Sequence, residues 1–226
     1  MNILAIECTH QALSVALSKG GEVFEANGRE WKRAAESLVP LVEKVMADSG
    51  LLRKELDAVA LSAGPGSFTA LRIGMATAKG IAFGLGITLI AVPTMPAMAA
   101  ALPSGPEMIV AVVPSRKGEY YIATYRAADL AAGVWHDEVG RGDAEAVAAA
   151  AKLAVGSGAT TVVGRGLHEL QPTLSETGAI FMEADFFSAK SLFAPAIRLS
   201  VSASAGPPGG VVPDYRQLFV PNVGGV

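Results

Sequence analysis

Short apolar runs separated by polar turns open the chain. "NILAIEC" and "ALSVALS" read as two strands around a polar turn at Thr9-His10-Gln11, and "EVFEANG" follows across Lys19-Gly20-Gly21 as a third. The period then changes. In "AESLVPLVEKVMADSG", Leu38, Leu41, Val42, Val45 and Met46 fall on one helical stripe, and Gly50 closes the helix as a C-terminal cap. Strand "AVALSA", a glycine-rich turn, a helix opening at Ser67, strand "ITLIAV" and a short helix through Met98 complete the order βββαβαβα.

After "LPSGPE" the pattern restarts. "MIVAVVP", "EYYIATYRA" and "GVWHDEVG" are strand-like, and "DAEAVAAAAKLA" is a helix with Asp143 as its N-cap. "TTVVGRG" and "AIFMEA" follow as strands, and "FSAKSLFAPAIRLS" as a helix interrupted at Pro195. A loop, "AGPPGG", leads to "VVPDYRQL", where Asp214, Tyr215 and Arg216 are expected to dock the tail on the body. Two halves of like order predict an α/β protein of two ribonuclease-H-like domains of the actin and Hsp70 ATPase type, with mixed sheets flanked by helices. The domains are placed at residues 1–103 and 104–226, with a cleft between them.

Composition narrows the function. The 226 residues are 51% hydrophobic, enough for a substantial core. A formal net charge of -3 offers no basic surface for gripping phosphate backbones, so direct tRNA binding by the chain alone is not expected. Cys8 is the only cysteine, which excludes an internal disulfide and a cysteine-based zinc site. It reads as an inert packed thiol. The opening "MNILAIE" has no basic stretch and is not read as a signal peptide. Residues 80–106 carry no charge, yet Pro93, Pro96 and the cluster Gly80, Gly84 and Gly86 interrupt the helix of about 20 apolar residues that a membrane span needs. A cytoplasmic protein without a membrane segment is expected.

The stretch "LSAGPGSFTALRIGMATAKGIAFGLG" poses the chemical question, because a strand, a glycine turn and a helix N-terminus together can hold a phosphate. The dinucleotide fingerprint fails. Thr69 stands where its last glycine belongs, and no Asp or Glu occurs between Asp57 and Glu107 to hold a ribose. A P-loop fails too, since Lys79 precedes Gly80 inside the helix. Two readings stay open: a generic anion or nucleotide contact at Gly64, Gly66 and Ser67, with Glu7 as the carboxylate after strand one, or a tight strand-to-helix turn capped by Ser67. The Thr9-His10-Gln11 turn has no glycine to let a phosphate approach, and Pro114 stands where the second half would need an acid. His10, His136 and His168 have no ligand spacing, and no catalytic triad can be drawn around Ser67. Arg116-Lys117-Gly118-Glu119 reads as a solvated hairpin turn.

Within the same helix, Ala70, Gly74, Ala78 and Ala82 recur every four residues beside Thr77 and Ile81, with Arg72 at the edge. A strip of small side chains exposes backbone. It is expected to receive another helix closely, while Leu71, Ile73 and Met75 face the core. The alternative is that the strip packs within the protein itself.

These motifs resemble the TsaB family, also called YeaZ. The resemblance is carried by "ILAIECTHQALSVAL", "AGPGSFTALRIGMATAKGIAFGLG", "SRKGEYYIATY" and "VPDYR", of which the second is the most specific. It implies an actin-like fold of two domains, little or no catalysis in isolation, a catalytic metal site that belongs to a TsaD-like paralogue, and a place in tRNA threonylcarbamoyladenosine formation beside that paralogue and a TsaE-like ATPase; no cofactor is expected. It also implies that the helix at 67–84 pairs with its counterpart in the paralogue or in a second copy of this chain. Glu7 stands where the family usually has Asp, Ala70 where it has Gly, Ala34 where a His is frequent, and Pro114 where Asp is common. Those departures bear on an independent ATPase rather than on a partner role. The competing function is a stand-alone ATP-dependent enzyme of the actin-like type using its own cleft; a peptidase, lacking a metal set or triad, ranks last.

Overall fold

In the computed structural model, which describes residues 1–9, 13–28, 34–103, 105–136, 138–201, 208–212 and 214, the opening strands β1 (Ile3–Glu7), β2 (Leu13–Lys19) and β3 (Glu22–Gly28) form an antiparallel meander. Strands β4 (Ala58–Ser62) and β5 (Thr88–Val92) join parallel to β1, giving the order β3-β2-β1-β4-β5. Helix α1 (Ala34–Ser49) leads from β3 towards β4, and α2 (Phe68–Leu85) from β4 to β5. Both lie on one face of the sheet, over Leu4, Ile6, Val15, Val59 and Leu61. The alternate residues Ile3, Ala5, Ala58 and Ala60 face the other way, into a second core. Strand β1 is buried at every position because it is central and covered on both faces.

Helix α3 (Thr94–Ala100) leads to the second half, where β6 (Met108–Arg116), β7 (Glu119–Arg126) and β8 (Gly140–Gly142) repeat the meander and β9 (Thr160–Gly164) and β10 (Ile180–Glu183) the parallel pair. The order β10-β9-β6-β7-β8 is that of the first sheet. The protein is thus an α/β fold of two mixed, helix-flanked sheets, the duplicated ribonuclease-H-like arrangement. Helix α4 (Ala127–Ala132) follows β7, and α5 (Ala144–Val155) packs on the second sheet, its first turn capped by Asp143 accepting from Ala146 N–H at 3.0 Å.

The expected strand "GVWHDEVG" is a correction. Gly133 ends α4 with a left-handed φ of 77°, and only Gly140 of that stretch joins β8. Between them the imidazole of His136 takes the ladder's place: Nε2 bonds the Thr124 carbonyl at 2.9 Å and Nδ1 accepts from Glu138 N–H at 3.2 Å.

Two short helices, α6 (Gln171–Leu174) and α7 (Phe193–Ser200), complete the fold. Pro195 lies in the first turn of α7, where it costs no backbone bond; the interruption in this segment is the tighter 3-10 turn at Ala189–Leu192. From residue 184 the chain returns to the first sheet. Ala189 N–H donates to Ser14 Oγ at 2.8 Å, Lys190 Nζ pairs with Glu25 at 3.4 Å, α7 packs on β5, and Pro208–Gly210 lies against α2. Position 103/104 separates the strands of the two sheets, but not the packing of this C-terminal segment. One apolar cluster, including Ile90 and Val92 of the first sheet, Phe187, and Ile109, Val113 and Tyr121 of the second, runs continuously between the sheets. Among the described residues no helix is long and apolar enough to cross a membrane.

Candidate functional site

The glycine loop joins β4 to α2 and is a packed junction. Gly64 adopts a φ of +111°, its N–H donates to Thr94 Oγ1 at 3.0 Å, and its carbonyl accepts from Thr94 N–H at 2.9 Å. Pro65 has no N–H to offer. Ser67 stands at the N-cap, but its hydroxyl makes no capping bond; its N–H instead donates to the Thr9 carbonyl at 2.9 Å. A Cβ on Gly64 would lie 2.6 Å from the Asp214 carbonyl oxygen, and one on Gly66 would lie 2.6 Å from that of Thr9. Each glycine therefore admits a neighbouring stretch of backbone.

Glu7 belongs to the same junction. It is fully buried, and its Oε1 accepts from Thr9 N–H at 2.8 Å and from Thr9 Oγ1 at 2.5 Å, fixing the residue whose carbonyl meets Ser67. The structure thus brings Glu7, Gly64, Gly66 and Ser67 together through Thr9. Two of the N–H groups in the anion reading, those of Gly64 and Ser67, are spent on Thr94 Oγ1 and on the Thr9 carbonyl, which favours the tight-turn reading. Next to Glu7, the Cys8 thiol is buried and bonds the Ala70 carbonyl at 3.3 Å. Burial, and then the Glu7 charge, push it far above the ordinary thiol range, leaving an inert sulfur. The turn residues His10 and Gln11, and the tail residues Tyr215 and Arg216, lie outside the described residues. Asp214 docks as expected, its N–H donating to the Ala63 carbonyl at 2.8 Å.

On α2 the strip Ala70, Gly74, Ala78 and Ala82 faces inward, overturning its expected role as the outward seam. The reason is the distance between helix and sheet. A Cβ on Gly74 would sit 2.2 Å from Cys8 Sγ and 3.2 Å from Leu61 Cδ1, so the small residues let α2 lie down on β1 and β4. Leu71 and Met75 are buried as expected, while Ile73, Thr77 and Ile81 are half-buried at the flanks and Arg72 is exposed, its guanidinium 5.4 Å from the Phe68 ring centroid.

The outward face carries a second small series, Ala76, Gly80 and Gly84, beside Phe83, which is 83% exposed. Across from it on α1 is Val39, 51% exposed, and beyond α1 is Leu52, 57% exposed. Between the helices lies a groove of about 860 Å³, floored by Val42, Met46, Ile81 and Leu85, with Glu43 and Arg53 as its charged lining residues. Sequence reasoning missed this face although Ala76-Gly80-Gly84 repeats every four residues, as the inward strip does. Two small series coexist on one helix, and only the sheet decides which it covers.

Other candidates remain apart. Arg116 and Glu119 close the β6–β7 hairpin across an exposed turn with Gly118 at φ 74°. His168 is exposed far along the chain from His136. Among the described residues no group of three or more His, Cys, Asp or Glu is placed to hold a metal.

Comparison with known proteins places this geometry. Residues 29–167 match the family model described as TsaD, tRNA N6-adenosine threonylcarbamoyltransferase. Among curated relatives, the tRNA threonylcarbamoyladenosine biosynthesis protein TsaB of Escherichia coli (strain K12) is 37% identical over 61% of this chain and 60% of its own length. The TsaB of Haemophilus influenzae is 34% identical over 54% of this chain and 53% of its own. The matched region thus spans between about half and three-fifths of these relatives. Among solved structures, YeaZ from Pseudomonas aeruginosa superposes with a TM-score of 0.75 at 21% identity, over 95% of this chain and 99% of that one, a likeness of fold. The chain belongs to the family that the model describes, TsaD, and over the matched region is similar to the TsaB proteins.

Proposed function

We propose that the chain is a non-catalytic subunit in tRNA threonylcarbamoyladenosine biosynthesis, docking through the α1–α2 groove onto a TsaD-like transferase. The observation that carries this reading is the apolar, small-residue groove lined by Val39, Gly80 and Gly84, with Phe83 exposed on the same helix next to Gly84. Gly80 and Gly84 meet nothing within 4 Å on their outward side, so a partner helix reaches the backbone there. The family model matched by residues 29–167 includes both helices, and a partner built on the same model carries the same pair. Two like pairs pack as a four-helix seam. Burying Phe83 contributes about 2 kcal/mol of association, with Glu43 and Arg53 at the lining as orienting charges.

A second copy of this chain offers the same face, so self-association competes with the transferase. A TsaE-like ATPase completes the assembly in the cytosol, and tRNA is held by the partners, since this chain's net charge is -3. The test is sedimentation of the purified chain with a TsaD-like protein, followed by a reconstituted modification assay. Recovery of the two as separate species at micromolar concentration would remove the reading.

The competing stand-alone ATP-dependent enzyme makes an opposite prediction. With the N–H groups of Gly64 and Ser67 committed, titration of the isolated protein with magnesium and ATP is expected to give no binding heat at tens of micromolar. ATP turnover that Glu7→Gln abolishes would favour the enzyme instead.

A further inference from the structure

The last described residues form a strap, and we infer that it orders the partner-facing helix. Past the 3-10 turn at Pro208–Gly210, which lies against α2, Val211 packs into the core under α1 and α2, and the Asp214 N–H donates to the Ala63 carbonyl at 2.8 Å. The Asp214 carbonyl oxygen then lies over Gly64 at the place where any other residue would put its Cβ, 2.6 Å away, with Leu71 Cδ1 3.2 Å from the same point. The strap therefore touches β4 just before the loop, the loop itself, and the first turns of α2.

What it supplies can be read from the rest of the junction. The loop is tied to the start of α3 through Thr94 and to the stretch after β1 through Thr9, both in the N-terminal half of the chain. Among the described residues, the strap is what closes it from the C-terminal half. Without it, the Ala63 carbonyl and the face of Gly64 lose their cover, and the loop and the first turns of α2 are left with their contacts to Thr9, Thr94 and Cys8. A helix end held by fewer contacts opens more often. An α2 that frays at its start presents Arg72 and Ala76 to a partner in several orientations, and ordering them on association reduces affinity. This consequence rests on the docking role proposed for α2; the strap itself does not.

The experiment separates the N–H of Asp214 from its side chain. Asp214→Pro deletes the donor to Ala63, Asp214→Asn keeps it, and a chain ending at Val201 removes the strap altogether. Amide hydrogen exchange of the isolated protein over residues 66–75 is the first readout. About tenfold faster exchange is expected for Asp214→Pro and for the shortened chain, with Asp214→Asn like wild type. Unchanged exchange in both overturns the inference. The second readout is affinity for a TsaD-like protein, expected to fall about threefold or more in the same two variants. Faster exchange at wild-type affinity overturns the coupling to the partner when Phe83→Glu abolishes binding in the same assay. Should Phe83→Glu bind normally, the docking role of α2 fails, and the exchange data alone decide the strap.

Discussion

Gly74→Ala is expected to destabilise the protein by about 2 kcal/mol, and to become stabilising when Cys8 is replaced by alanine. The added Cβ would lie 2.2 Å from Cys8 Sγ, closer than real side chains come, and both groups sit on packed backbone with little room to give. Overpacking of this kind costs about 1–3 kcal/mol, against which alanine's helix preference over glycine returns up to about 1 kcal/mol. Cys8→Ala removes the sulfur. The nearest atoms to the new Cβ are then Leu61 Cδ1 at 3.2 Å and the residue 8 Cβ at 3.7 Å, a contact that slight adjustment accommodates. In that background only the propensity gain remains, so the sign reverses. Urea denaturation of the four proteins in the cycle measures a coupling of about 3 kcal/mol. Additive effects would mean that α2 does not rest on β1 through this contact. Gly74→Leu, on the same geometry, is expected to yield no folded protein, so it does not report on partner binding.

Phe83→Glu is expected to weaken association with a TsaD-like protein about a hundredfold while leaving the monomer folded. Phe83 is 83% exposed, so the isolated protein loses little by the change. In a complex the loss has two parts: the apolar burial of the ring, about 2 kcal/mol, and the burial of a carboxylate without a partner. Gly80→Leu makes an independent check, because a Cβ at Gly80 meets nothing within 4 Å in the free protein. It is expected to stabilise the monomer by somewhat under 1 kcal/mol through helix propensity and yet to block the close approach of a partner helix. Circular dichroism and melting establish the fold, and light scattering with titration against the partner establishes affinity. Wild-type affinity in both variants would show that the groove is not the docking face.

Much of the architecture was legible in the residues. The short apolar runs of β1, β2, β6 and β7, bounded by turn residues, and the helical stripe of α1 identify these elements, because central strands covered on both faces read as continuous apolar runs while a helix on one sheet face buries one stripe. The repeat of the same order after residue 106 announces two like sheets. The stretch after "EYYIATYRA" was misread, since a histidine side chain bridging Thr124 and Glu138 leaves no periodicity to detect.

The site divides differently. Local chemistry was enough to dismiss a dinucleotide fingerprint, a P-loop, a triad and a histidine metal site, because each demands particular residue types at particular spacings. Which way α2 turns was beyond it. Ala70-Gly74-Ala78-Ala82 and Ala76-Gly80-Gly84 share one spacing on one helix, and a one-dimensional pattern cannot rank them. The choice is made by residues distant in sequence: Cys8 and Leu61 on the sheet leave room only for a strip whose key position has no side chain. The glycine loop follows the same logic. Its composition suits a phosphate or a tight turn, and the arrival of Thr9, Thr94 and Asp214 from three other parts of the chain occupies the N–H groups of Gly64 and Ser67 and fills the space beside Gly64 and Gly66.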